Sequence, residues 1–310
     1  YHINKNKKEI KIMKIFDCFM FYDEELLLDI RLNILDKYVD FFIIVESKFF
    51  HNGKKRRLKF DINKFKKFED KIIYIIQESE PEEIIKLEDK DDEDTKSYKL
   101  IFNAHLRENN QRNYINEGLK KAEGDDLVLI SDVDEIPNFD SIDLSKISNQ
   151  IIMFEQEIFY YKFNRYLPNF KWFGTKACKK KKLISPQWLR NIKNKKYSLW
   201  RLDTFFSKNK YINKLFIKNG GWHFSNIKNA KDLELKLKSY LHHRDYEAEE
   251  LGYNKINKLI KNNETIYDMF GDKKSKKYGD EKRKKLEIYD LNKLPNFIQD
   301  NVGILKEWMD

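Results

Sequence analysis

The sequence predicts an α/β protein with a Rossmann-type, mostly parallel sheet covered by helices on both faces. Two observations carry this. Short, continuously apolar, β-rich runs recur through the first half of the chain, and segments with helical spacing separate them. Strands buried on both faces read as unbroken apolar runs, and parallel neighbours need a crossover between them.

The elements follow in order. "MKIFDCFMFY" (13–22) reads as a first buried strand. "DEELLLDIRLNILDKYV" (23–39) places Leu27, Ile30, Ile34 and Leu35 on one helical face. "DFFIIVES" (40–47) and "KIIYIIQ" (71–77) are two more strands, separated by the turn and charged loop "HNGKKRR" (51–57). The charged stretch 78–97 reads as a surface loop, 104–122 as a helix, and "DLVLISDVDEIP" (126–137) as a fourth strand with its terminal loop. Ligands of such sheets bind outside the carboxyl ends of the strands.

The pattern changes after Pro137. Residues 150–166 read as one or two strands, 172–190 as a very basic loop, and 196–207 as another strand. "KNGGWHFSNI" (218–227) is a glycine-containing loop or strand. A helix is expected from Lys231, where Leu233, Leu237 and Leu241 recur every fourth residue, and a last short helix near 294–309. The expected organisation is a tail (1–12), a core domain (13–230) and a helical C-terminal extension (231–310) packed on the same domain.

Composition narrows the classes. The chain has 310 residues, 41% of them hydrophobic, enough for a real core and unlike a disordered chain. Its 61 basic and 51 acidic residues leave a net charge of +10. A positive surface attracts phosphate-bearing partners, although interspersed charges also describe an ordinary lysine-rich surface. Two cysteines, Cys18 and Cys178, make neither a disulfide framework nor a zinc site, which fits a reducing compartment. No apolar run approaches the ~18 residues of a membrane span, and the start does not read as a signal peptide. A cytoplasmic protein is the expectation.

"LVLISDVDEIP" gathers Asp132, Asp134 and Glu135 at the end of an apolar strand. A spacing of two places Asp132 and Asp134 on the same side of an extended backbone. Two such carboxylates suit Mg²⁺ or Mn²⁺, whose remaining ligands are water and phosphate oxygens. The motif therefore suits a nucleotide diphosphate, while a loop that caps or turns the chain is the plainer reading. Glu135 either orients Asp134 or faces solvent.

The blocks "FDCFMFYDEELLLDIRLNIL", "FFIIVESKFFHNGKKRRLKF", "RENNQRNYINEGL", "DDLVLISDVDEIP" and "GGWHFS", in this order, resemble family 17 glycosyltransferases, with a weaker echo in "LPNFIQDNVGILK" (294–306). The resemblance implies a GT-A-like fold, a sugar-nucleotide donor, inversion at the anomeric carbon and a glycan acceptor. Animal members are Golgi-anchored GlcNAc transferases, and no anchor is seen in this chain. UDP-GlcNAc is the expected donor, a β-linkage the expected product, and no nucleic-acid partner is expected.

The resemblance also implies roles. Asp134 would bind the metal, Asp132 the metal or the donor ribose, and His223 would complete the metal site. Glu46 and Ser47 would meet the nucleoside, with His51, Asn52, Gly53 and Lys54 in a loop closing over the donor. Arg107 and Arg112 are the candidate donor-side arginines, Arg112 preferred, against the commoner surface ion pair. Gly220 and Gly221 would allow a close approach to ligand. Inversion needs a base for the acceptor hydroxyl; Glu155, Glu157 and Asp203 are the candidates, Glu155 first. Trp172, Gly174, Thr175, Arg190 and Trp222 would shape the acceptor pocket. The rival classes are a metal-dependent nucleic-acid enzyme and a non-catalytic glycan-binding protein with a transferase fold.

Overall fold

The computed structural model describes residues 13–148, 150–197, 207, 210, 213–239, 251–267 and 283–310. The elements are β1 (Ile15–Phe21), α1 (Glu25–Leu35), β2 (Phe41–Ser47), β3 (Ile72–Gln77), α2 (Glu93–Asn113), α3 (Ile115–Gly118), β4 (Leu127–Asp132) and β5 (Glu135–Pro137). They continue as β6 (Ile151–Tyr160), β7 (Arg165–Trp172), β8 (Lys176–Lys179), α4 (Pro186–Asn191), β9 (Lys214–Ser225), α5 (Ala230–Ser239), α6 (Gly252–Lys261), β10 (Glu287–Ile288) and α7 (Asn296–Asp300).

One mixed sheet holds the strands in the order β10-β7-β6-β8-β4-β1-β2-β3, with β9 beside β6 and β5 beside β9. The first four strands are parallel, as the sequence predicts. The second half is mixed: β8 runs antiparallel to β4 and β6, β7 to β6, and β10 to β7, while β9 runs parallel to β6. The expectation of a mostly parallel sheet is corrected there. β6, β7 and β8 follow one another through short connections, which antiparallel neighbours allow and a parallel crossover does not.

The sheet buries both faces. Ile15, Phe19 and Phe21 of β1 point into one core with Leu28, Ile30 and Leu35 of α1. Phe16 and Cys18 point into the other with Ile115 of α3 and Leu189 of α4. Alternation along the strand sends successive side chains to opposite sides.

Two expected loops need correction, one only at its end. Residues 78–92 form a loop as expected, but 93–97 are the start of α2, where Asp92 accepts from Thr95 N at 2.7 Å and Glu93 and Asp94 lie in the first turn. Residues 172–190 contain β8 and α4; Ser185 caps α4 by accepting from Trp188 N at 3.1 Å, ahead of Pro186. The strand expected at 196–207, with Asp203, lies almost wholly outside the described residues. In the C-terminal segment the described residues form α5, α6 and α7, but also the edge strand β10, so it is not purely helical. No helix among the described residues is long and apolar enough to cross a membrane.

Candidate active site

The strand order reverses between β1 and β4, and this switch point is where an α/β sheet presents a ligand crevice. A cavity of about 380 Å³ opens there. Met20, Phe21 and Tyr22 from the end of β1, Asp132 to Glu135 from the end of β4, and Ile158, Tyr160, His223 and Ser225 from β6 and β9 line it.

The turn after β4 is built rigidly. Arg31, fully buried on α1, holds the Asp17 carboxylate through Nε at 2.8 Å and Nη2 at 2.6 Å. It also donates to Ser131 Oγ at 2.6 Å and to the carbonyls of Asp132 (3.1 Å), Val133 (3.3 Å) and Glu135 (2.8 Å). One guanidinium thus fixes the path of the whole Asp-x-Asp turn from behind. From the other side, Phe224 N donates to Asp134 O at 2.8 Å.

The three carboxylates divide their work. Glu135 is buried and neither orients Asp134 nor faces solvent. It accepts from both Arg190 nitrogens (2.7 and 2.8 Å), from Trp172 Nε1 at 2.6 Å and from Asp132 N at 2.8 Å. Asp132 accepts from Arg112 Nη2 at 3.1 Å on one oxygen and Arg190 Nη2 at 2.6 Å on the other. Burial alone would raise its pKa, but the two guanidiniums hold it well below the usual carboxylate range. Asp134 faces His223, with Oδ2 to Nε2 at 3.6 Å. Burial opposes charge on both, yet each favours the charged form of the other: Asp134 is lowered and His223 raised. His223 Nδ1 is buried without a hydrogen-bond partner among the described residues, and its ring lies 5.0 Å from that of Trp172.

Other expected residues brace this frame. Gly174 is required because a Cβ there would stand 2.0 Å from Glu135 Oε1, and its carbonyl accepts from Arg190 Nη1 at 2.6 Å. Thr175 Oγ1 donates to Glu135 O at 2.9 Å. Lys176 is buried behind Arg190, donates to the Arg190 and Ile192 carbonyls, and is brought down to about 7 by burial and the neighbouring guanidinium. Arg112 also binds Gln187 Oε1 at 2.5 Å and Glu108 Oε1 at 2.9 Å.

Several expected roles do not survive the geometry. Glu46 is fully buried and takes four donors: Arg56 Nη2 (2.8 Å), Lys59 N (2.7 Å), Phe60 N (3.1 Å) and Tyr74 OH (2.8 Å). It anchors the 47–60 loop rather than meeting a nucleoside. Ser47 is buried and turns the chain by accepting from Phe49 N at 3.1 Å. Lys54 is exposed outside the cavity wall. Arg107 binds Glu80 Oε1 (2.5 Å) and His51 O (3.2 Å), tying the loop to α2 beneath Gly53.

Neither Glu155 nor Glu157 lines the cavity. Glu157 registers with Trp222 and Ile158 with His223, so only the second pair faces the site. Glu157 instead pairs with Lys171. Trp222 lies on the far face too, donating to Lys293 O at 3.1 Å. Gly220 and Gly221 admit backbone, not ligand: a Cβ on Gly221 (φ +134°) would meet Ile136 O at 2.1 Å.

Glu24 was missed. It lines the cavity before α1 and accepts from Tyr22 N (3.2 Å) and Asp23 N (3.1 Å). Burial raises its pKa, assisted by Asp23 and Asp134 and opposed by Lys236 and Lys228. Its proximity to "MFYD" at a strand end was the available signal.

Among the described residues no group of three His, Cys, Asp or Glu side chains is arranged around one metal position. A cation here would rest on Asp134 and His223, a mixed oxygen and nitrogen pair that suits Mn²⁺ and leaves the remaining positions to phosphate and water.

The family described as glycosyltransferase family 17 matches residues 2–304. A search of curated proteins finds no match. Among solved structures, HddC from Yersinia pseudotuberculosis is similar at 11% identity, over 67% of this chain and 92% of that one, with a TM-score of 0.31. The family match runs over nearly the whole length, across every element that builds the cavity, and it places the chain: it belongs to glycosyltransferase family 17.

Proposed function

We propose that this glycosyltransferase is metal-dependent and inverting, and moves GlcNAc from UDP-GlcNAc to a glycan hydroxyl with formation of a β-linkage. The observation that carries the metal reading is the Asp134–His223 pair facing the cavity at the switch point. The family resemblance supports the donor, the acceptor class and the inversion. Bound there, a divalent cation would offset the negative charge that develops on the departing diphosphate.

The chain's own residues do the rest. Arg31 and Phe224 N hold the turn so that Asp134 stays aimed into the cavity. Asp132, with both oxygens engaged, fixes Arg112 and Arg190 and leaves the metal to Asp134 and His223. In the transfer, the acceptor oxygen bonds to the anomeric carbon as the bond to the diphosphate oxygen breaks, and the hydroxyl proton passes to a base. Glu24 takes the base role in this reading. Among the described residues it is the cavity carboxylate without an arginine or histidine partner, and its raised pKa improves it as a proton acceptor.

Hydrolysis and transfer with a panel of UDP-sugars, with and without Mn²⁺, test the proposal. Mn²⁺-dependent release of UDP, fastest with UDP-GlcNAc, is expected. Equal turnover in the presence of a chelator would reject the metal, and preference for another sugar would reject the donor.

A further inference from the structure

A transferase needs a seat for its acceptor, and most residues expected to form one brace the Asp-x-Asp turn instead. Of Trp172, Gly174, Thr175, Arg190 and Trp222, Trp172 is the one that lines the cavity. A second cavity, of about 160 Å³, adjoins the first. Glu24, Asn226 and Lys236 belong to the walls of both. Asp134 and His223 line the first, whereas Asp23, Asp232 and Trp308 line the second. Glu24 therefore stands where the two cavities meet.

That placement fits an inverting transfer. The acceptor oxygen approaches the anomeric carbon from the side opposite the departing diphosphate, and the base must reach the proton of that hydroxyl. With the diphosphate at Asp134 and His223 and with Glu24 as base, the acceptor lies against Glu24 and away from the metal pair. The second cavity opens there.

Its walls suit a sugar. Trp308 is half-buried: it packs on the core with Met309 and keeps part of its surface accessible at the cavity. The segment that carries it is fixed, because Trp308 O accepts from Phe163 N at 2.9 Å and Asp310 takes Nε and Nη2 of Arg165 at 2.6 and 2.7 Å. The Asp23 side chain is 35% exposed and holds Lys228 through Oδ1 at 2.9 Å. Asp232 is exposed and accepts from Asn229 Nδ2 at 2.8 Å. A carboxylate offers about four acceptor sites, so both retain capacity for hydroxyl donors. An aromatic surface beside carboxylate oxygens matches a sugar, whose apolar C–H face is edged by hydroxyls.

We propose that the second cavity seats the acceptor's terminal sugar, with its C–H face on Trp308, hydroxyls on Asp23 and Asp232, and its reacting hydroxyl at Glu24. The proposal rests on the transferase reading above and adds where the acceptor enters and which residues meet it.

Transfer from UDP-GlcNAc with Mn²⁺ to the p-nitrophenyl β-glycosides of glucose, galactose and mannose gives the test. Trp308→Ala is expected to raise the acceptor KM about tenfold. The donor KM and the release of UDP without acceptor should stay as in the wild type. A side chain that only packs the core would lower release and transfer together; that result, or an unchanged acceptor KM, overturns the seat. If Trp308→Ala does not fold, Asp232→Ala on the exposed side of α5 decides by the same criterion, with a similar rise expected. A wild type that binds and hydrolyses no UDP-sugar defeats the transferase reading instead. In that case, or if none of the three glycosides is glycosylated, saturation-transfer NMR with the same glycosides decides the seat alone. A signal in the wild type that disappears in the variant supports it. No signal in the wild type, or one that persists in the variant, overturns it.

Discussion

Asp132 and Asp134 are two residues apart and chemically alike, but their surroundings separate them. Asp132 is held by two arginines, whereas Asp134 meets a histidine at the cavity wall. Asp134→Asn is therefore expected to weaken Mn²⁺ binding by roughly 100-fold and Asp132→Asn by about 10-fold, the size of a ligand-supporting change; calorimetric titration of Mn²⁺ checks the order. Glu24 supplies a pH prediction. As a base it must be ionised, and burial, Asp23 and Asp134 push its pKa up against Lys236 and Lys228. Activity should thus be present at higher pH and fall as pH drops through a value above the ordinary 4.5 of a glutamate. Glu24→Gln should lower kcat by about 10²-fold to 10⁴-fold and remove that acidic limb; a pH–rate profile with an unchanged limb would exclude the assignment. At this scale the sequence disclosed that Asp132 and Asp134 end a strand, because an apolar strand ending in carboxylates is a local pattern, whereas His223 was reached only through the family resemblance. It could not disclose that Glu46 is filled by four inward donors, or that neither Glu155 nor Glu157 lines the cavity. Alternation along a strand does not say which face meets a ligand, and the register of β6 shifts beside Glu155.

The elements that hold the turn in place repeat one device, a buried arginine against a carboxylate. α1 brings Arg31 to Asp17, and α4 brings Arg190 to Asp132 and Glu135. Removing one partner of a buried pair strands the other, at a cost of about 3–5 kcal/mol. Arg31→Met should show a loss of that size in urea denaturation, with weaker Mn²⁺ binding in the fraction that remains folded. Gly174→Ala tests the close packing: its Cβ would collide with Glu135 and the Trp172 ring nitrogen. It should lower the melting temperature and displace the Glu135–Trp172 contact, visible as a change in tryptophan fluorescence. Both pairings were half-legible. Asp17 interrupts an apolar strand and Arg31 an apolar helix face, and opposite charges in two buried patterns are a reason to pair them. The start of α2 and the whole of α4 were legible as well, through Asp92 with its acidic first turn and through Ser185-Pro186. High local charge conceals them.

Across the whole molecule, the cavity lies where the parallel half of the sheet, legible in its apolar runs, meets a mixed half that the sequence did not reveal. Pairing in that half depends on partners far apart in the chain: β8 enters antiparallel between β4 and β6, and β9 returns parallel to β6 to bring His223 to Asp134. Short basic strands such as "KACK" carry too little pattern to announce that. The central claim is that Asp134 and His223 hold a cation on which nucleotide-sugar binding depends. Isothermal titration of UDP-GlcNAc into the wild type and Asp134→Asn, each with Mn²⁺ and with a chelator, tests it most directly. Binding by the wild type only with Mn²⁺, and its loss in Asp134→Asn, is the expected result. Equal binding in all four titrations would contradict it.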